Sequence, residues 1–221
     1  MKTCVLIPSF NGARTIGAVV KGIKEKGLDA VVIDDGSRDD TERRASESGA
    51  IVIRNASNLG KGASLKRGFR FILSSTNFDA VIIMDGDGQH SPDDIQKFIA
   101  GAENGVSDVI VGNRMNVVKN MPFVRLATNK LMSYLLSVRC KQDIPDTQCG
   151  FKLIKRDVLK KIKLESSNYD LDSELLIEAS RNKFKIASVR IETIYRDEPS
   201  RIHPIKDTLR FFALFVKSYL K

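Results

Sequence analysis

Two aspartates one residue apart carry the sharpest chemical meaning in this chain. Asp85-Gly86-Asp87-Gly88-Gln89-His90 follows the apolar run Ala80 to Met84, which puts paired carboxylates at the end of a buried strand, between glycines that let backbone approach closely. Such oxygen donors suit a hard divalent ion, Mg2+ or Mn2+, that takes its remaining ligands from a bound phosphate. An isolated Asp-x-Asp is also common in ordinary turns, so its weight here comes from its company. Pro8-Ser9-Phe10-Asn11-Gly12 follows one apolar run and Asp34-Asp35-Gly36-Ser37 another. Ligands of open parallel sheets bind beyond the carboxyl ends of the strands, so these three segments are expected at one edge. Turn formation and helix capping by Asp39 and Thr41 are compatible with ligand contact there. A fourth segment, Asn58-Leu59-Gly60-Lys61-Gly62-Ala63, precedes a helical pattern and offers backbone N–H groups to an anion. It is not a P-loop, and no G-x-G-x-x-G follows the first strand, which removes the usual ATPase and dinucleotide sites.

Positioning these residues requires strands that alternate with helices, and the apolar periodicity supplies both. Strands are expected at Thr3 to Ile7, Ala30 to Ile33, Ile51 to Ile53, Ala80 to Met84 and Asp108 to Val111, with helices at Thr15 to Lys26, Asp40 to Ser48, Lys61 to Ser75 and Pro92 to Glu103. Ser91-Pro92 is a start signal, with serine as cap and proline in the first turn. Beyond Gly112 the spacing predicts a helix from Pro122 to Arg139, a strand at Phe151 to Ile154, helices at Val158 to Ile162 and Asp172 to Arg181, a strand at Ile186 to Thr193, and a last helix from Pro204. The reading is an α/β chain, residues 1–221, organised as one catalytic domain with a ligand-binding first half (1–112) and a specialised second half (113–221).

The 221 residues are 42% hydrophobic and 29% charged with six prolines, which excludes wholesale disorder and fibrous classes. The net charge of +9 is unevenly placed: 14 basic side chains face 15 acidic ones in residues 1–112, 12 face 3 in 113–163, and 10 face 9 in 164–221. The excess therefore sits in one middle block and points to an anionic partner for that block. Cys4, Cys140 and Cys149 have no paired spacing, so neither a disulfide framework nor a zinc site is expected. The longest apolar stretch, Phe211 to Val216, is far short of a membrane span, and the amino terminus lacks signal-peptide features. A cytoplasmic setting is expected.

The ordered set IPSFN at Ile7, VIDDGSRDDT at Val32, NLGKGAS at Asn58, MDGDGQH at Met84, GNR at Gly112, DTQCGFK at Asp146 and LDSELL at Leu171 resembles family 2 glycosyltransferases. Within them it is most similar to the dolichyl- and polyprenyl-phosphate sugar transferases of the dolichol-phosphate mannose or glucose synthase kind, from Ile7 to about Ile202. The resemblance implies a glycosyltransferase A-type, Rossmann-like fold, a nucleotide-sugar donor, a divalent metal and inversion at the anomeric carbon. It places Pro8, Phe10 and Asp34 in the base pocket, Asp85 by the ribose and metal, and Asp87 and Gln89 as the remaining protein ligands. Gly12 departs from the Glu often found in the family. Arg114 and Arg125 match positions that hold the acceptor phosphate, with Asn129 one turn from Arg125 and Arg201 as the later basic residue; Arg196 is a further candidate. Asp146 and Asp172 match residues that shape the donor-sugar and acceptor site, whereas Glu174, His90 and His203 are not assigned.

Physical chemistry agrees with that implication. Sugar transfer develops oxocarbenium character while a diphosphate departs, so a divalent cation on the diphosphate lowers the barrier. A lipid phosphate is already anionic and needs a cationic cradle rather than a strong base. The middle block supplies that charge. The helix from Pro122, with Phe123, Leu126, Leu131, Tyr134, Leu135 and Val138 on a stripe, is balanced between core packing and membrane contact. The last helix, with Ile205, Leu209, Phe212, Val216 and Leu220 on one face and Phe211, Leu214 and Phe215 widening it, favours a membrane surface or a homodimer. Arg210, Lys217 and Lys221 would add about 1 kcal/mol each near anionic headgroups. The expected function is metal-dependent hexosyl transfer to polyprenyl or dolichyl phosphate on the cytoplasmic face of a membrane, with no nucleic-acid partner. Two alternatives stand beside it: transfer to a glycan or small-molecule hydroxyl, with Asp172 or Asp146 as base, and nucleotide-sugar binding without turnover.

Overall fold

The computed structural model describes residues 1–105, 107–115, 123–168, 170–192, 194 and 204–220, except for the side chains of residues 123–125 and 204–207. The first half runs β1 (Thr3–Ser9), α1 (Ile16–Glu25), β2 (Asp29–Asp34), α2 (Thr41–Glu47), β3 (Ile51–Arg54), α3 (Lys61–Ser75), β4 (Ala80–Ile83) and α4 (Ile95–Glu103). The second runs β5 (Val109–Asn113), α5 (Phe123–Cys140), β6 (Lys152–Lys155), α6 (Arg156–Lys161), α7 (Leu171–Arg181), β7 (Ile186–Arg190) and α8 (Pro204–Leu220). All seven strands join one sheet in the order β3-β2-β1-β4-β6-β5-β7. Cys4 to Ile7, Val31 to Ile33, Val81 to Ile83 and Val109 to Val111 are wholly buried. Continuous apolar runs of this kind are what a sheet covered on both faces requires, and each side chain contributes about 1.5–3 kcal/mol by leaving water.

The sheet is mostly parallel, but β6 runs antiparallel to both of its neighbours. That reversal matters for the site. Ser9 pairs with Asp34 at the ends of β1 and β2, and Lys152, the first residue of β6, pairs with Ile83 at the end of β4 and with Val111 on β5. A lysine thus enters the edge where the parallel strands deliver their acidic residues.

Four elements differ from the sequence expectation in informative ways. The fourth helix opens as a 3-10 turn at Pro92–Asp94, where Ser91 Oγ accepts the Asp93 N–H at 3.2 Å, and only then becomes α4. β6 is displaced by one residue from the expected range, and α6 begins two residues before its expected start and ends one before its expected end. β7 ends at Arg190 because the chain leaves the ladder there. The Ile191 N–H still donates to the Asn113 carbonyl at 3.2 Å, the Glu192 N–H turns to Asp94 Oδ2 at 3.1 Å, and the Ile194 N–H reaches the Gln89 carbonyl at 3.0 Å. The exit from β7 therefore crosses the loop that carries the paired aspartates. Thr193 lies outside the described residues.

The two late helices resolve their divided apolar patterns. In α5 the inward side is Met132, Ser133, Leu136 and Cys140, whereas Leu131, Tyr134 and Val138 are exposed. In α8 Phe211 is buried and Leu214 and Phe215 pack against the core, leaving Leu209, Phe212, Val216, Tyr219 and Leu220 exposed. Arg139 links the two helices by donating from Nε to Ser218 Oγ at 2.9 Å and lying 4.8 Å from the Tyr219 ring. Among the described residues no helix is long and apolar enough to cross a membrane.

Candidate active site

The loops after β1 and β2 are fastened to each other before either meets a ligand. The Asn11 N–H donates to Ser37 Oγ at 2.8 Å, the Gly12 N–H to Thr41 Oγ1 at 2.8 Å, and the Ala13 N–H to Asp39 Oδ2 at 3.1 Å. Asn11 Oδ1 returns the favour by accepting the Arg38 N–H at 2.9 Å. Asp39 and Thr41 thus serve the loop junction as well as the start of α2. A side chain at position 12 would bring its Cβ to 2.5 Å from Ser9 Oγ, so the glycine that departs from the family pattern is the residue that fits this junction. Behind it stand Pro8 and Phe10, both half-buried, and Asp34, which is fully buried. Asp34 Oδ1 accepts the Ser37 N–H at 3.1 Å, while Oδ2 has no hydrogen-bond partner among the described residues and lies 3.7 Å from Arg54 Nε. An unmet buried acceptor is costly, so this oxygen is suited to a donor on a ligand such as a nucleobase N–H.

Asp85 and Asp87 follow β4 and differ sharply in electrostatic state. Burial would raise the Asp85 carboxyl, but the Lys61 ammonium and His90 outweigh it and hold it well below the usual carboxylate range. Lys61 Nζ is 2.7 Å from Asp85 Oδ1, and His90 Nε2 is 3.6 Å from Oδ2. Burial and the negative charge of Asp85 push Asp87 upward instead. Its Oδ1 accepts the Gln89 N–H at 2.9 Å. Two carboxylates in mutual repulsion beside the Gln89 amide are hard oxygen donors of the kind a divalent cation stabilises. Among the described residues no group of three or more His, Cys, Asp or Glu side chains forms a metal site.

A second row of charges faces the first. Lys152 is completely buried, with Nζ donating to Asp172 Oδ1 at 2.6 Å and to the Cys149 carbonyl. Lys61 also lies 3.5 Å from Asp172 Oδ2, so Asp85, Lys61, Asp172 and Lys152 form one alternating chain of charge. Burial opposes the Asp172 charge, but Lys152 and Lys61 prevail and lower its pKa. Gly150 backs this row. A Cβ there would strike the Asp85 carboxylate and come to 3.0 Å from Lys61 Nζ. Beside it, Arg114 grips the fully buried Asp146 in bidentate fashion, from Nε at 2.7 Å and Nη2 at 2.9 Å. Burial disfavours the guanidinium charge, yet the carboxylates of Asp146 and Asp85 hold it protonated above its ordinary value. Burial pushes the Cys149 thiol up to about 11, leaving it neutral beside that pair.

The edge thus brings together Pro8, Phe10, Asp34, Asp85, Asp87, Gln89, Arg114, Asp146 and Asp172 at the strand ends and the start of α7. Asn129 is half-buried on α5, and the Arg125 backbone begins that helix, but its side chain lies outside the described residues, as do Arg196, Arg201 and His203. Glu174 has a different task, accepting the Glu165 and Ser166 N–H groups at 3.0 and 2.9 Å. Three of the backbone donors expected to greet an external anion at 58–63 are already engaged. The Leu59 and Gly60 N–H groups donate to Asp35 at 3.0 and 2.8 Å, and the Ala63 N–H donates to the Ser167 carbonyl at 3.1 Å. Their anion is internal. Lys61 and Lys152 stand at this edge through their ion pairs, and pattern reading did not assign either to the site. The two described cavities, of about 340 and 410 Å3, lie against α7–α8 and α3–α6 and include none of the aspartates after β1, β2 or β4.

With this geometry in place, the chain can be compared with known proteins. The family described as "Glycosyl transferase family 2" matches residues 4–163. An uncharacterized protein of Methanocaldococcus jannaschii is 34% identical over 87% of this chain and 82% of its own. The UDP-N-acetylglucosamine–dolichyl-phosphate N-acetylglucosaminyltransferase of Methanococcus voltae is 29% identical over 87% of this chain and 86% of its own. Glucosyl-3-phosphoglycerate synthase from Mycobacterium tuberculosis, solved with Mn2+, UDP-glucose and phosphoglyceric acid, superposes with a TM-score of 0.77 at 22% identity over 98% of this chain and 79% of that one. The chain shares that protein's overall fold.

Proposed function

Because this chain belongs to glycosyl transferase family 2, we propose that it moves a hexosyl group from a nucleotide sugar of the UDP-glucose or GDP-mannose type to a polyprenyl or dolichyl phosphate, with inversion. The observation that carries this acceptor is the engagement of both carboxylates best placed to act as a base. A hydroxyl acceptor must lose its proton to such a base. Asp146 is committed to Arg114 and Asp172 to Lys152, the latter with a lowered proton affinity. A phosphate monoester needs neither. Its anionic oxygen attacks the anomeric carbon, the bond from that carbon to the diphosphate oxygen breaks, and the electron pair leaves with the nucleoside diphosphate. No proton has to move.

In this reading Pro8, Phe10 and Asp34 hold the base, and Asp85, Asp87 and Gln89 hold Mg2+ or Mn2+. The bound ion would neutralise charge that develops on the departing diphosphate. Asp146 turns the Nε edge of Arg114 inward, and Nη1 has no hydrogen-bond partner among the described residues. That edge, with Arg125, Asn129 and Arg201, forms the acceptor cradle. The dolichyl phosphate in the name of the Methanococcus voltae relative supports the same acceptor class. The exposed apolar ridges of α5 and α8 rest on the lipid surface from which the acceptor comes, in a peripheral, cytoplasm-facing attachment. Residues 1–112 serve the donor and 113–221 the acceptor within one catalytic domain.

Offering the same donors with polyprenyl phosphate and, separately, with free glycans tests the proposal. Transfer to the lipid phosphate is expected. Transfer to hydroxyl acceptors alone would overturn it, and so would nucleotide-sugar binding with no transfer to any acceptor.

A further inference from the structure

Lys61 stands at the seam between the donor and acceptor sides of this edge. It opens α3, its side chain is 13% exposed, and its Nζ lies 2.7 Å from Asp85 and 3.5 Å from Asp172. The ammonium therefore takes up a lone-pair direction of one proposed metal ligand and cancels part of its charge. A divalent cation that arrives alone must share or displace that contact and face an added positive charge at close range. A cation that arrives with a diphosphate brings several negative charges, to which the same ammonium can turn. Lys152 remains on the other oxygen of Asp172, so that carboxylate keeps a partner when Lys61 leaves it.

We infer that Lys61 makes capture of the divalent cation and of the nucleoside diphosphate conditional on each other, opposing the bare ion and favouring the ion–diphosphate pair. The inference rests on the metal assignment proposed above. Its signature is a split in sign. Removing the ammonium strengthens binding of the ion alone and weakens binding of the nucleotide. Coupling between two ligands is reciprocal, so either can be titrated against the other.

The test titrates Mn2+ alone, and then UDP or GDP at saturating Mn2+, into the wild-type chain and the Lys61→Met and Lys61→Gln variants. Both titrations are read by calorimetry and by the paramagnetic signal of free Mn2+. In the wild type, nucleotide should tighten Mn2+ binding by about tenfold or more. In the variants, Mn2+ alone should bind about threefold tighter or better and the diphosphate about tenfold weaker, collapsing the coupling. Variants that bind bare Mn2+ no more tightly than wild type overturn the inference while leaving the metal assignment intact. If neither variant folds, a wild type that binds Mn2+ equally with and without nucleotide overturns it instead. A wild type that binds no Mn2+ even with UDP or GDP overturns the metal assignment itself.

Discussion

The proposed donor and acceptor sides of the sheet edge are built from the same side-chain types but differ in how completely their carboxylates are satisfied. On the donor side, Asp34 keeps an oxygen without a hydrogen-bond partner among the described residues, and Asp87 is raised by the charge of Asp85. On the acceptor side, each buried carboxylate has its own cation, Arg114 for Asp146 and Lys152 for Asp172. The proposed function reads the difference as what each side receives. Unmet acceptors and crowded carboxylates favour a cation and a hydrogen-bond donor, whereas satisfied carboxylates that orient cations favour an incoming anion. Lys61 sits between the two and belongs to both.

The contrast can be broken most forcefully at Arg114. Arg114→Met strands a fully buried Asp146, so a stability loss of about 3–5 kcal/mol is expected from the denaturant midpoint. A loss below about 1 kcal/mol would mean that the pair is not the structural unit described here. Asp87→Ala should do the reverse, leaving the fold intact while lowering turnover by about 10^2–10^3-fold, near 3–4 kcal/mol of transition-state stabilisation. Unchanged turnover contradicts its role.

Smaller effects sharpen the comparison further. Replacing Leu209 and Val216 together with Glu should weaken binding to anionic lipid vesicles by about 2–3 kcal/mol, by removing exposed apolar surface and adding charge of the wrong sign. Circular dichroism should show α8 intact, and vesicle binding at the wild-type level would rule out this face as the membrane contact. The smallest change belongs to Asp34→Asn. Its buried side chain keeps an oxygen for the Ser37 N–H, so stability should move by less than about 1 kcal/mol. The rise in melting temperature caused by UDP or GDP with Mn2+ should shrink markedly. A destabilisation as large as that at Arg114 would erase the distinction between the two sides.

Much of the donor side was legible because local signals coincide there. Apolar β-branched runs end in Asp34 and Asp85, the helix Lys61–Ser75 was read at its observed bounds, and Ser91 caps the turn that leads into α4. The acceptor side was legible in charge but not in arrangement. Nothing in the spacing of Phe151 to Lys155 says that β6 runs backward between β4 and β5, and only that reversal brings Lys152 to the carboxylates. Lys61 lies in a segment whose sequence predicts backbone contact with a ligand, yet Asp35 takes two of those N–H groups and the lysine side chain turns to the aspartates. Strand order and the competition among internal acceptors are tertiary facts, and short-range periodicity does not encode them.

The hydrogen bond from Ile194 to Gln89 sets a geometric limit on the whole molecule. From that anchor only ten residues lead to Pro204, where α8 begins, and ten residues stretch to about 35 Å at most. The loop after β4 and α8 are thus tethered on a short leash. If α8 lies flat on the bilayer, the sugar is handed over within a few nanometres of the headgroups, and the acceptor's phosphate needs to rise no farther than that to meet it.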